Sequence, residues 1–132
     1  LDVLRIDGAV VRVLSPAARA AALFAVDEVG DGFVEVIATP GHTKDSVCYR
    51  SSDNSSLFTG DTLFIGECGF CRPEPMFRSM LLLRSLPDSL IVYPGHDYGE
   101  LPADSLGHQK EVNPYLNSPD LNTFRERLSH LI

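Results

Sequence analysis

Leu57-Phe58-Thr59-Gly60-Asp61-Thr62-Leu63-Phe64 is a short apolar run cut off at once by Gly-Asp. Apolar residues bounded so closely by turn signals predict a buried strand. Gly60 permits a tight turn, so Asp61 can project from the strand end. The same design occurs on either side of this stretch. Upstream, Phe33 to Ala38 (FVEVIA) alternates and is β-branched, then breaks into Thr39-Pro40-Gly41-His42-Thr43. Downstream, Leu90 to Tyr93 (LIVY) is cut by Pro94-Gly95-His96-Asp97. Each loop sets a metal-capable side chain beside a glycine, with His42, Asp61 and His96 spaced 19 and 35 residues apart. Strand ends along one sheet edge share one cleft, so these three side chains are expected to converge. Two imidazoles and a carboxylate suit zinc, or iron in a two-His-one-carboxylate site.

The remaining elements follow from pattern. Ser46 to Arg50 (SVCYR) predicts another strand, joined to Leu57-Phe58-Thr59 by the polar Ser51 to Ser56 connection. Pro73 to Leu86 predicts a helix: Pro fits the first turn, Glu74 suits the positive helix end, and Met76, Phe77, Met80, Leu81 and Leu83 supply an apolar face. Ser105 to Val112 and Asp120 to Ile132 predict two closing helices, with Asp120 as a cap and Leu121, Phe124, Leu128 and Leu131 as a stripe. The Ala-rich run from Ala17 to Ala25 allows a short helix, and Val29-Gly30-Asp31-Gly32 reads as a turn. Strands and helices in this order give an α/β or α+β class.

The 132 residues suit one domain or part of a larger one. A net charge of −7 opposes non-specific nucleic-acid binding, which needs a basic footprint. No apolar run approaches the roughly 18 residues of a membrane helix, so no membrane partner is expected. Asp2, Arg5, Asp7 and Arg12 break the pattern of a signal peptide. Three cysteines make no disulfide framework, and a reducing cytoplasm is the expected location.

Three motifs carry a family resemblance: T-P-G-H-T at Thr39 to Thr43, L-F-T-G-D-T-L-F at Leu57 to Phe64, and V-Y-P-G-H-D-Y at Val92 to Tyr98. Together they resemble the later motifs of the metallo-β-lactamase superfamily, in its hydroxyacylglutathione hydrolase (glyoxalase II) and persulfide dioxygenase branch. Gly66-Glu67-Cys68-Gly69 and K-E-V-N-P-Y-L at Lys110 to Leu116 add to the likeness. The resemblance implies an αββα sandwich with a metal site at one edge. It implies His42, Asp61 and His96 as metal ligands, Asp61 bridging two metals or holding one iron, and Tyr98 and Phe70 near the substrate. It further implies one or two zinc ions, with iron as the other metal, and metal-hydroxide attack on a small thioester or glutathione-derived substrate. An iron-dependent persulfide dioxygenase and a catalytically incomplete remnant are the alternatives.

The chain also departs from the family pattern. No histidine lies among residues 1 to 41, where T-H-x-H-x-D-H would be expected. Together with the non-Met start, this favours a C-terminal portion of a longer domain. An exposed sheet face, covered by a homodimer partner or by a separate N-terminal half, is then expected. Lys44-Asp45 and Phe70 replace the residues common at those family positions. Cys68-Gly69-Phe70-Cys71 has the spacing of a redox motif but lacks a preceding Trp, and reads as loop thiols beside the cleft. His108 and His130 fall in the closing helices and read as solvent-side or packing residues.

Overall fold

The computed structural model describes residues 2–6, 9–13, 34–96, 99 and 101–130. The Ala17 to Ala25 helix, the turn at 29–32 and Tyr98 lie outside the described residues. The first elements are strands β1 (Asp2–Ile6) and β2 (Ala9–Val13), an antiparallel pair with Asp2 opposite Val13. This hairpin has no counterpart in the sequence reading, because Asp7-Gly8 splits the segment into two runs of only five residues.

The main sheet contains β3 (Val34–Ala38), β4 (Val47–Ser51), β5 (Ser56–Gly60), β6 (Ile91–Pro94) and β7 (Asp104–Ser105), in that spatial order. β3, β4 and β5 are antiparallel neighbours, and β5 pairs parallel with β6. A parallel pair needs a crossover, and helix α1 (Pro73–Arg84) lies within it. Helices α2 (Leu106–Val112) and α3 (Leu121–Leu128) complete an α+β fold. β7 is the second element the sequence conceals, since two residues carry no period.

Pairing register sorts the sheet into two faces. Ile37, Cys48, Leu57 and Val92 share one face, and Cys48, Leu57 and Val92 are fully buried there. They belong to the core that Met76, Met80 and Leu83 of α1, Leu106 of α2 and Phe124 of α3 fill. Phe77 and Phe124 meet with centroids 5.7 Å apart, fastening α3 to α1. Tyr49 and Phe58 pair on the opposite face, and both are buried. The expectation of an open second face therefore fails at the centre of the sheet. Strands β4 and β5 lie in its interior, and Cys48, Tyr49, Leu57 and Phe58 are shielded across both faces.

Local capping explains the helix starts. Proline stands in the first turn of α1. The Ser105 hydroxyl accepts from the His108 amide, and the Asp120 carboxylate accepts from the Thr123 amide. Each satisfies a backbone donor that the first turn leaves unpaired.

Candidate metal centre

The loop after β3 is held from two sides. The Ser79 hydroxyl of α1 donates to the Pro40 carbonyl at 2.7 Å, and the Arg72 amide donates to the Gly41 carbonyl at 2.9 Å. Gly41 sits at φ 151°, and a Cβ there would meet the Met76 Cβ at 2.7 Å. Glycine therefore lets this loop lie flat on α1, which brings His42 over the end of β5.

The Asp61 loop is fixed by the strand it ends. The Thr62 amide donates to the Thr59 carbonyl, and the Thr59 hydroxyl donates to the Leu63 carbonyl at 2.6 Å. The Gly95 amide donates to the Gly60 carbonyl at 2.7 Å, tying the end of β6 to the end of β5. Below the loops, the buried Thr39 hydroxyl lies 3.3 Å from both the Thr62 hydroxyl and the Cys48 sulfur. Burial pushes the Cys48 thiol up to about 11, so this cysteine is a packing group and not a nucleophile.

The three loops bring His42, Asp61 and His96 together. His42 Nε2 lies 3.4 Å from Asp61 Oδ2, and His96 Nδ1 lies 2.6 Å from Asp61 Oδ1. His42 Nδ1 lies 2.6 Å from the Phe70 carbonyl. A carbonyl only accepts, so Nδ1 carries the proton and Nε2 presents its lone pair toward the carboxylate in the neutral ring. All three side chains are partly open to solvent. The ring of Phe64 meets His96 edge-on, with centroids 5.9 Å apart.

This donor set suits a metal only in part. His42 Nε2 and Asp61 Oδ2 lie 3.4 Å apart and offer two donors, whereas a catalytic zinc site keeps three protein ligands. Among the described residues, no group of three His, Cys, Asp or Glu side chains is arranged to hold an ion. The arrangement is thus a His–Asp–His row able to supply a share of a metal site.

The Phe70 side chain is 82% exposed, and its backbone carbonyl is what touches the site. His108 of α2 bonds to Asp104 of β7, and His130 is exposed just past the end of α3. Gly69 was not legible as a site residue. A Cβ there would fall 1.8 Å from the Asp61 carbonyl oxygen, so this backbone lies directly on the Asp61 loop. A cavity of about 330 Å³ opens beside His42, lined also by Lys44 and Arg72. Among the described residues no helix is long and apolar enough to cross a membrane.

Residues 22–96 match the model of the metallo-beta-lactamase superfamily. A probable polyketide biosynthesis zinc-dependent hydrolase, BaeB, of Bacillus velezensis is 40% identical over 65% of this chain and 40% of its own length. A hydroxyacylglutathione hydrolase of Rhodopseudomonas palustris is 36% identical over 91% of this chain and 50% of its own. Among solved structures, ETHE1 from Myxococcus xanthus superposes with a TM-score of 0.66 at 34% identity, covering 78% of this chain and 48% of that one. The chain therefore spans half or less of the length of each of these relatives.

Proposed function

The chain belongs to the metallo-beta-lactamase superfamily, and from that premise we propose that it carries one share of the metal site of a thioester hydrolase similar to hydroxyacylglutathione hydrolase. The observation that carries this reading is His42 Nε2 lying 3.4 Å from Asp61 Oδ2, with the other ring nitrogen tied to the Phe70 carbonyl. His42 and Asp61 would hold the ion, with His96 on the far oxygen of the same carboxylate. Zinc, when bound, supplies a Lewis acid and water acidic enough to attack a carbonyl near neutral pH.

The chain's own residues orient that chemistry. The Phe70 carbonyl fixes the tautomer and the ring plane of His42. His96 holds one Asp61 oxygen, which leaves the other turned toward His42. Lys44 and Arg72 line the cavity beside His42, where they suit an anionic substrate arm such as a glutathione-type carboxylate. Tyr98 follows the His96 loop in sequence and is assigned to substrate contact by family likeness alone. A third protein ligand must join His42 and Asp61 before full turnover is expected. Zinc is the preferred metal, iron the alternative, and the reducing cytoplasm the proposed location.

Isothermal titration with zinc tests the reading. The chain is expected to bind the ion, and His42→Ala and Asp61→Asn are each expected to weaken binding at least tenfold, the usual size of a lost ligand or its support. Unchanged affinity in both variants would remove the site. Assays of S-lactoylglutathione hydrolysis and of oxygen uptake on a persulfide, with a full-length relative as reference, separate the hydrolase from the iron-dependent dioxygenase. The hydrolase consumes no oxygen.

A further inference from the structure

The segment Cys68-Gly69-Phe70-Cys71 joins the Phe70 carbonyl contact, which the hydrolase reading uses, to two thiols that it does not use. Its two inner residues touch the candidate metal centre. Gly69 lies against the Asp61 backbone with no room for a Cβ, and the Phe70 carbonyl holds His42 Nδ1 at 2.6 Å. Its two outer residues are free cysteines three positions apart, Cys68 within the core cluster and Cys71 packed against that cluster. Cys68 is buried in the core, while Cys71 is half-buried at its edge. The segment is anchored on both sides: Leu63 and Cys68 form an isolated bridge, and the Arg72 amide bonds to the Gly41 carbonyl of the His42 loop.

We propose that Cys68 and Cys71 form a reversible disulfide site whose closure moves the Phe70 carbonyl and so re-aims His42. The inference rests on the reading of His42 as a metal-site residue for its consequence, but not for the chemistry of the two thiols.

Peroxide is the oxidant. The Cys71 thiolate attacks one peroxide oxygen, the O–O bond breaks, and Cys71 becomes a sulfenic acid as hydroxide leaves. The Cys68 sulfur then attacks the Cys71 sulfur, the S–OH bond breaks, and the departing hydroxide takes the Cys68 proton as water. Two thiols thus lose two electrons, and one peroxide becomes two waters. A small-molecule thiol reverses the step by thiol–disulfide exchange. Exposure assigns the roles, since peroxide reaches Cys71 from solvent and Cys68 waits behind it. The hydrogen bond from Cys68 holds the Cys71 thiol below its ordinary value, which agrees with that order.

Closure must shorten the sulfur–sulfur separation to about 2.05 Å. A four-residue segment absorbs that change in its backbone, and the two residues available are Gly69 and Phe70. Gly69 is pressed on Asp61, so the freer movement is at the Phe70 peptide. Its carbonyl is the group that orients the imidazole.

The test uses the metal-free 132-residue chain, so failure of metal binding does not affect its outcome. Hydrogen peroxide is added in slight excess, and thiols are counted after denaturation. The count is expected to fall from three to one, with a peptide-mapped link between Cys68 and Cys71 and with Cys48 retained. The imidazole resonances of His42 are followed by NMR in the same sample. They are expected to shift on oxidation, return on reduction, and stay in place when Cys71→Ser or Cys71→Ala is treated alike. Absence of the Cys68–Cys71 link overturns the proposal. A formed link with unmoved His42 resonances overturns the coupling to the metal centre.

Discussion

Gly69 shows how much a site can depend on a residue with no side chain. The Asp61 carbonyl oxygen occupies the place where its Cβ would stand. Gly69→Ala must therefore shift backbone, which overpacking data place at about 1–3 kcal/mol, and the shift falls on the loop bearing Asp61. Urea unfolding is expected to show that loss, and zinc affinity is expected to fall with it. Gly60→Ala is the informative comparison. Gly60 has open space around its Cβ position but sits at φ 51°, so its cost is the left-handed backbone alone, about 1–2 kcal/mol. Equal zinc affinity in the Gly69 variant and the parent would show that the contact has no bearing on the site. The sequence made His42, Asp61 and His96 legible because each stands beside a glycine at a strand end. It hid Gly69 and the Phe70 carbonyl, because backbone contacts between distant loops leave no residue-type signature.

At the scale of elements, α2 and α3 each start beside a carboxylate, Asp104 and Asp120, held below its ordinary value, so their stability responds to pH. Burial pushes the Asp104 carboxyl up, but hydrogen bonds from His108, Gln109 and the Ser105 amide outweigh it and hold it below its ordinary 3.8. The bond to Asp104 raises His108 above its ordinary 6.5. The lowered carboxyl stabilises the fold above the unfolded carboxyl value, and that support is lost as pH falls through the lower folded value. The raised imidazole stabilises it fully below the unfolded imidazole value, and this is lost as pH rises through the higher folded value. His108→Ala is thus expected to lower the melting temperature most at about pH 5, between the two ranges, and less at alkaline pH. A penalty that grows with pH would contradict the pairing. The packing of α3 is a separate matter. Phe124 is fully buried against Phe77, and Phe124→Ala is expected to cost about 3–5 kcal/mol in urea unfolding. These helices were legible through their caps and apolar stripes. β7 was not, because its two residues pair with β6 through tertiary contact alone.

At the scale of the whole molecule, the loops that carry His42, Asp61 and His96 leave the sheet at the ends of β3, β5 and β6. An ion held by His42 and Asp61, as proposed, would bridge chain segments that unfolding separates. The sequence foretold this gathering of loops, but not the covered face at Tyr49 and Phe58, because burial on both faces depends on neighbours distant in sequence. A ligand that binds only the folded chain stabilises it by about 2.7 kcal/mol at a hundredfold excess over its dissociation constant. Zinc at that excess is therefore expected to raise the melting temperature of this chain, and a chelator is expected to return it to the starting value. Asp61→Asn should cut the rise to about half or less, since a tenfold loss of affinity at that zinc concentration leaves about 1.4 kcal/mol and the substitution removes the carboxylate that both imidazoles face. His108→Ala should keep the rise, because His108 of α2 bonds to Asp104 of β7 and not to this row. The pair of variants separates specific capture from loose binding of zinc to surface histidines, which would respond to the loss of any of the four in the chain. Calorimetric scans that show the same zinc-dependent rise with and without Asp61 would place the ion elsewhere. The loop convergence would then reflect the packing of the strand ends alone.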